Sequence, residues 1–460
     1  MDEHRTVWGR ICSLKHPFLT VLLLGILIRA LVGALSIVYD ADYWAVVIRN
    51  IESGNGLYGL EGYYYTPVWG YILGGIAAFQ DAFLNVGESA VRIAEALFTE
   101  GSGGYFSATI PSLLVIYSVK IPLFVCDLIT SFVVMRLVKE ATDDGRKALF
   151  AFSLVFISPV LLMSTGVISM PDTVSAMFAV LTVYCLKKRY PLIAGMTFSL
   201  AALVKFFPAF MIFVMVGYMA SRCRSEGRDP VPDIAMAVVG AAIMTVLVFL
   251  PQILAGNLEQ CFQFLEDRTG FADGDNLFDT LAGLGRILIY GIILILSALF
   301  GCRMSRYSGD DPFRELMRYC LIIAASVLIY PPTTQYIVIL VPFLAYWIAT
   351  SDRRHILSWK ILAVGSVIYT MSSFGLALLP LAVWAGFPDV GSALHIFDVW
   401  YSPIVAGICP GNIQFAVGGV LQCSAIILVL YGMYMDAVRD GKRLLSCSSK
   451  ARYRRRCDNP

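Results

Sequence analysis

Residues 17–44 read PFLTVLLLGILIRALVGALSIVYDADYW. The run Pro17–Val38 is long enough to cross a bilayer, which takes about 20 apolar residues. It ends abruptly in Tyr39-Asp40-Ala41-Asp42-Tyr43. A span that delivers two carboxylates to one membrane surface sets the frame for the remaining chain. Comparable apolar runs follow near 112–138, 148–168, 173–187, 191–204, 206–221, 232–251, 284–301, 316–331, 333–350, 357–380 and 413–437. The composition agrees: the 460 residues are 58% hydrophobic and 15% charged, where a soluble domain carries roughly a quarter charged residues. The expected fold is an all-α polytopic membrane protein of about a dozen transmembrane helices, built as a single integral-membrane domain over 1–460. The first span stays in place of a cleaved signal peptide.

The distribution of charge orients the chain. With a cytoplasmic N-terminus, 28 of the 35 Lys and Arg fall in cytoplasmic segments, including the tail 438–460. Only Arg49, Arg92 and Arg268 fall in outside loops. This is the positive-inside asymmetry, and it puts both termini in the cytoplasm. The basic residues from Lys450 to Arg456 then anchor the tail to anionic lipid. The parity holds only if 39–111 lies wholly outside, including Tyr65–Phe79. That stretch is short for a span, contains Pro67 and three glycines, and reads as re-entrant or interfacial.

Four outside regions can build a site: the long segments 39–111, 252–283 and 381–412, and the short turn at 169–172. In the first, Trp44, Val47, Ile48 and Ile51 fall at i, i+3, i+4, i+7, as do Val86, Ala90, Ile93 and Leu97 within a turn. Both patterns predict amphipathic helices on the membrane surface or against the spans. Cys261 and Cys409 are the two cysteines placed outside, and a disulfide between them is one expectation. The four histidines are scattered without metal-ligand spacing.

Asp40 and Asp42 suit a general base acting on an acceptor hydroxyl, a cation site, or plain solvated charge. Downstream come Leu57-Tyr58 and Tyr63-Tyr64-Tyr65-Thr66-Pro67, which read equally as an interfacial aromatic belt or as sugar platforms. Lys120, Asp127 and Lys205 lie in or at the edge of apolar spans, where a charge costs about 2.5–3.5 kcal/mol at the centre and calls for a partner or cavity. Lys120 and Asp127 are seven apart and share a helix face. Lys205 reads either as a phosphate ligand or as a snorkelling cation. Asp172, after Met170-Pro171, reads first as a helix cap. Gln335-Tyr336 open the tenth run on the outer face.

In this order the segments resemble the GT-C superfamily of integral-membrane glycosyltransferases, most closely the catalytic subunit of GPI mannosyltransferase I. Asp40-Ala41-Asp42-Tyr43, Leu57-Tyr58, Tyr65-Thr66-Pro67, Lys120, Asp127-Leu128, Lys205-Phe206-Phe207-Pro208, Gln335-Tyr336 and Val341-Pro342 carry the likeness over about 30–350. The chain departs from the family at Gln263–Gly270 and by an insertion of about thirty residues between Pro67 and Lys120. The resemblance implies an inverting hexosyltransferase, with mannose the expected sugar. It would move the sugar from a polyprenyl- or dolichyl-phosphate donor to a glycan or glycolipid acceptor on the non-cytoplasmic face of the cell or ER membrane. Asp42 and Asp40 would be catalytic, and Lys205 and Lys120 would bind the donor phosphate. Tyr43, Tyr65, Asp127, Asp172, Gln335 and Tyr336 would contact substrate. No cofactor is expected beyond a divalent cation as an option at Asp40 and Asp42, and no nucleic acid is expected as a partner. The competing reading is a transporter or lipid flippase, in which intramembrane charges mark a translocation path.

Overall fold

The computed structural model describes residues 7–35, 39–84 apart from 59, 61, 62 and 64, then 91–93, 109–111, 113–262, 277–329, 333–351, 355–373 and 411–457. Where described, the predicted apolar runs lie mostly on helix. The long elements are Pro17–Leu35, Leu113–Thr142, Gly145–Phe156, Asp172–Lys187, Pro191–Val204, Ile212–Ser225, Val231–Leu254, Leu277–Ser305, Pro312–Val327, Leu340–Thr350, Ile356–Ser373 and Gly411–Cys457. Among the described residues, six helical stretches are long and apolar enough to cross a bilayer: Pro17–Ala34, Leu113–Thr142, Gly145–Ile168, Val231–Leu254, Ile287–Ser305 and Ala416–Arg439. Three further apolar helices are shorter. By length and composition six of the dozen expected spans are thus candidates among the described residues.

Local chemistry sets the boundaries. Asp144 caps the helix Gly145–Phe156 by accepting from the backbone N–H of Arg146 at 2.8 Å and Lys147 at 3.2 Å, filling donors that a helix start leaves unmet. Pro67, Pro191 and Pro312 open their helices, where the missing N–H costs nothing. The last helix continues past 437 into the basic segment as far as Cys457.

Glycines decide how closely two helix pairs approach. A Cβ on Gly195 would strike the Ala237 carbonyl, and one on Gly240 would strike that of Leu192. The helices Pro191–Val204 and Val231–Leu254 therefore meet backbone to backbone. Gly217 and Gly301 do the same for the next pair. Small residues at crossings are how helices associate in lipid, where burying apolar surface gives no advantage. The outer helices show the complementary pattern. Leu288, Ile292, Ile295 and Leu299 are exposed along one face, as are Leu23, Leu27 and Leu31 on the first helix. Such stripes suit contact with hydrocarbon and would be a liability in water. The helix Leu340–Thr350 is buried almost all round and sits in the interior, as an all-apolar helix must.

The two described helices between residues 39 and 79 are packed elements. Trp44, Val47, Ile48, Trp69 and Leu73 are buried in one cluster with Val119, Leu123, Ile168, Val204 and Phe249. This fits the stripe expected on the helix Tyr39–Glu52. The helix Pro67–Phe79 has 13 residues, about 20 Å at 1.5 Å per residue, short of the roughly 30 Å hydrocarbon core. Thr66 hydroxyl donates to the Leu203 carbonyl, Tyr71 to that of Val248, and the Gln80 amide to the Ser118 hydroxyl. Those partners lie at one end of their three helices, so this short helix stays at that end.

One expectation fails. The second amphipathic helix, placed on Val86, Ala90, Ile93 and Leu97, is replaced at Val91–Ile93 by a strand antiparallel to Thr109–Pro111. Val86, Ala90 and Leu97 lie outside the described residues. β-Branched Val91, Ile93, Thr109 and Ile110 favour an extended backbone, and four apolar positions in twelve residues do not distinguish the two periods. The loop 381–410 and the segment 263–276 also lie outside the described residues.

Candidate active site

Four elements converge at the loop-bearing end of the bundle. Asp40 and Asp42 occupy the first turn of the helix Tyr39–Glu52. One turn on, Trp44 is buried and donates from Nε1 to the Ser169 carbonyl at 2.9 Å. Its ring meets Tyr43, Tyr65 and Trp69 edge-on at 5.4–5.6 Å. Edge-to-face contacts of this kind add about 0.5–1.5 kcal/mol beyond burial. Trp44 thus ties the start of the acidic helix to the turn that precedes Asp172. Ser169 holds a left-handed backbone there, with φ 63°.

Asp172 opens the helix Asp172–Lys187, with Pro171 at the cap position and no side-chain cap bond. The expected capping role is therefore replaced. The Asp172 carboxylate faces Lys205 Nζ at 3.5 Å, with the two side chains 4% and 7% exposed. Lys205 reaches it because the helix Pro191–Val204 stops: Lys205 is extended, with φ −150° and ψ 131°. The Lys205 ammonium lies 4.5 Å from the centre of the Tyr336 ring and 5.2 Å from that of Tyr65, within cation–π range. Tyr65 also donates to Met170 sulfur at 3.5 Å, and Phe207 packs edge-on against Tyr336 at 5.1 Å. Gln335 shares the short helix Thr334–Ile337 with Tyr336 and is half-buried.

The result is a buried acid–base pair walled by two tyrosines, beside a helix that begins with two aspartates. Burial pushes the Tyr58 and Tyr63 phenols well above their ordinary range, so the surrounding hydroxyls are neutral donors. Tyr58 donates to the Tyr65 carbonyl at 3.0 Å and fixes that segment.

Lys120 and Asp127 do share a face, as their spacing predicts, and that face meets the first helix. Lys120 Nζ donates to the Gly33 carbonyl at 3.0 Å. Asp127 accepts from Arg29 at 2.9 and 3.3 Å, from Thr165 at 2.9 Å and from Thr173 at 2.5 Å. Arg29 also donates to the Phe156 carbonyl and lies 4.1 Å from the centre of its ring. Sequence reading missed Arg29 as a partner, although a lone Arg within an apolar run signals one.

Cys261 has a free, buried thiol that donates to the Asn257 carbonyl at 3.3 Å, while Cys409 lies outside the described residues. No group of three His, Cys, Asp or Glu among the described residues is placed to hold a metal. The side chains of Asp40 and Asp42 are outside that description.

The described residues thus form a helical bundle with apolar candidate spans and a charged, aromatic-walled cluster at one end. Residues 106–249 match the family model of dolichyl-phosphate-mannose-protein mannosyltransferase. The match covers just under a third of the chain and supports the GT-C class of membrane glycosyltransferases. It takes in Lys120, Asp127, Asp172 and Lys205, and leaves out the aspartates of the first loop and Tyr336. No curated protein matches the chain.

Proposed function

We propose that the chain is a glycosyltransferase, most simply a mannosyltransferase, drawing on a dolichyl- or polyprenyl-phosphate sugar at the outer or luminal face. The acceptor is a lipid-linked or surface glycan. The observation that carries this reading is the pairing of Lys205 with Asp172 between Tyr65 and Tyr336, joined through Trp44 and Ser169 to the helix of Asp40 and Asp42.

In this reading the donor lipid stays in the bilayer and its phosphate is drawn to Lys205, which exchanges its carboxylate partner for the phosphate. Asp42 takes the proton of the acceptor hydroxyl as that oxygen attacks the anomeric carbon. The sugar–phosphate bond breaks, and the electron pair leaves on the phosphate, whose growing charge Lys205 stabilises. Asp40 assists by binding substrate or a cation. Tyr43, Tyr65, Gln335 and Tyr336 form the walls. Asp127 and Lys120 hold the first helix, and so the base of the acidic helix, in place.

The test is a membrane assay with labelled dolichyl-phosphate mannose, scoring transfer to lipid-extractable and glycan acceptors. Transfer by the wild type and its loss in Asp42→Asn support the reading. A protein that moves labelled lipid across vesicles without forming a new glycosidic bond is a transporter instead.

A further inference from the structure

The opposite end of the same helices carries a second charged site. The helix Asp172–Lys187 has 16 residues, so its far end lies about 24 Å from Asp172, most of the way across a hydrocarbon core. There Glu226 gathers three guanidiniums. It pairs with Arg189, with Arg228 at 2.9 Å and with Arg222 at 3.6 Å. Arg228 also reaches Asp233 at 3.6 Å. Arg189, Arg222, Arg228 and Asp233 line a shallow open cleft together with Tyr218, Cys223 and Pro191.

Two features mark this cleft as more than a surface salt-bridge cluster. Arg222 is fixed in place, donating to the Leu186 and Lys187 carbonyls at 2.8 and 2.9 Å, so one wall is preorganised. Arg189 is held in the left-handed region at φ 65°, just past the helix end, where the Arg189 and Tyr190 N–H groups bond back to Leu186 and Cys185. Glycine fits that position without strain. An arginine there accepts conformational cost to present its head group, and its side chain is 53% exposed. Next in sequence to lining residues, Tyr190 is 56% exposed, and Val231, Val238 and Val239 are exposed on the helix that carries Asp233. Cationic donors at the mouth and hydrocarbon-facing residues beside it match a ligand with an anionic head and an acyl tail. Basic pockets between helices at a membrane surface favour such head groups, and guanidiniums match phosphate oxygens in pairs.

We propose that the Arg189–Arg222–Arg228 cleft binds the phosphate of an anionic phospholipid in the leaflet opposite the candidate transfer site. The inference rests on the bundle spanning a bilayer and not on the transfer chemistry. The full-length protein, purified in mild detergent, is offered phosphatidylserine, phosphatidylcholine or inorganic phosphate, and bound lipid is read by native mass spectrometry. The wild type should retain phosphatidylserine over phosphatidylcholine. Arg189→Gln/Arg228→Gln should reduce that preference about tenfold or more, although the basic C-terminal segment is unchanged. Arg189→Gly, which relieves the backbone, should lose affinity while keeping its melting temperature, showing that the loss is not misfolding. Millimolar inorganic phosphate should not displace the lipid. Equal retention of the two lipids by the wild type overturns the proposal, as does undiminished preference in the double variant. Displacement by free phosphate at the same occupancy would make the cleft a soluble-anion site and also overturns it.

Discussion

Among the described residues two acid–base pairs have both side chains buried, and they are built to opposite ends. Asp127 is saturated: Arg29, Thr165 and Thr173 all donate to it, and Arg29 is further held by the Phe156 carbonyl. Asp172 and Lys205 are as deeply buried, but they meet at 3.5 Å, longer than the 2.7–2.9 Å of a charge-assisted hydrogen bond. The ring faces of Tyr65 and Tyr336 flank the Lys205 ammonium. The first arrangement locks helices together, since removing one partner of a buried pair strands a charge. The second leaves an ammonium able to change partner. On the proposed function, closely similar charges in one protein are divided between scaffold and chemistry by their neighbours.

The largest effect should come from the acidic helix beside the second pair. Asp42→Asn should lower sugar transfer by roughly 10²–10⁴-fold, the usual cost of losing a general base, with wild-type expression and melting. Assaying it beside Asp40→Asn and Asp172→Asn sharpens the assignment. If both first-loop variants keep near-normal transfer while a well-folded Asp172→Asn is dead, the base lies in the turn at 169–172.

Next comes the scaffold pair. Arg29→Met should destabilise the protein by about 3–5 kcal/mol, because Asp127 would remain buried without its counter-ion. Arg29→Met/Asp127→Leu should recover much of that loss in thermal melts in detergent. The contrast between the pairs breaks if Arg29→Met melts like the wild type yet cannot transfer sugar.

Lys205→Met should cost about 10²-fold in transfer, in line with removal of one stabilising donor. The loss should appear in donor KM as well as kcat, alongside a fall in melting temperature because Asp172 is left buried without its counter-ion. A Lys205→Met protein that melts far below the wild type and shows normal kinetics in its folded fraction would place this pair with the scaffold.

The smallest effect should belong to the link between the two halves of the site. Trp44→Phe keeps the ring contacts and loses the bond to Ser169, worth about 0.5–1.5 kcal/mol. Transfer should fall a few-fold with stability barely altered. Equal rates for the two proteins would mean that packing alone positions the acidic helix.

The sequence determined the properties that add residue by residue. Partition into lipid is such a property, so apolar runs located the helices, and the bias of Lys and Arg placed Asp40, Asp172, Lys205 and Tyr336 on one side. Short, mixed segments were less legible: Val91–Ile93 fits a helical or a strand period, and its partner Thr109–Pro111 decided for the strand. Pairing belonged to the tertiary structure alone. Arg29 and Asp127 are 98 residues apart, and Trp44 and Ser169 are 125 apart. Nothing in the composition of either segment states which charge a buried aspartate will meet. That choice is made by where helices cross, through contacts such as Gly195 on Ala237 and Gly240 on Leu192. A shift of one helical turn there would bring other side chains together, because electrostatic and hydrogen-bond energies depend on distances of a few ångströms.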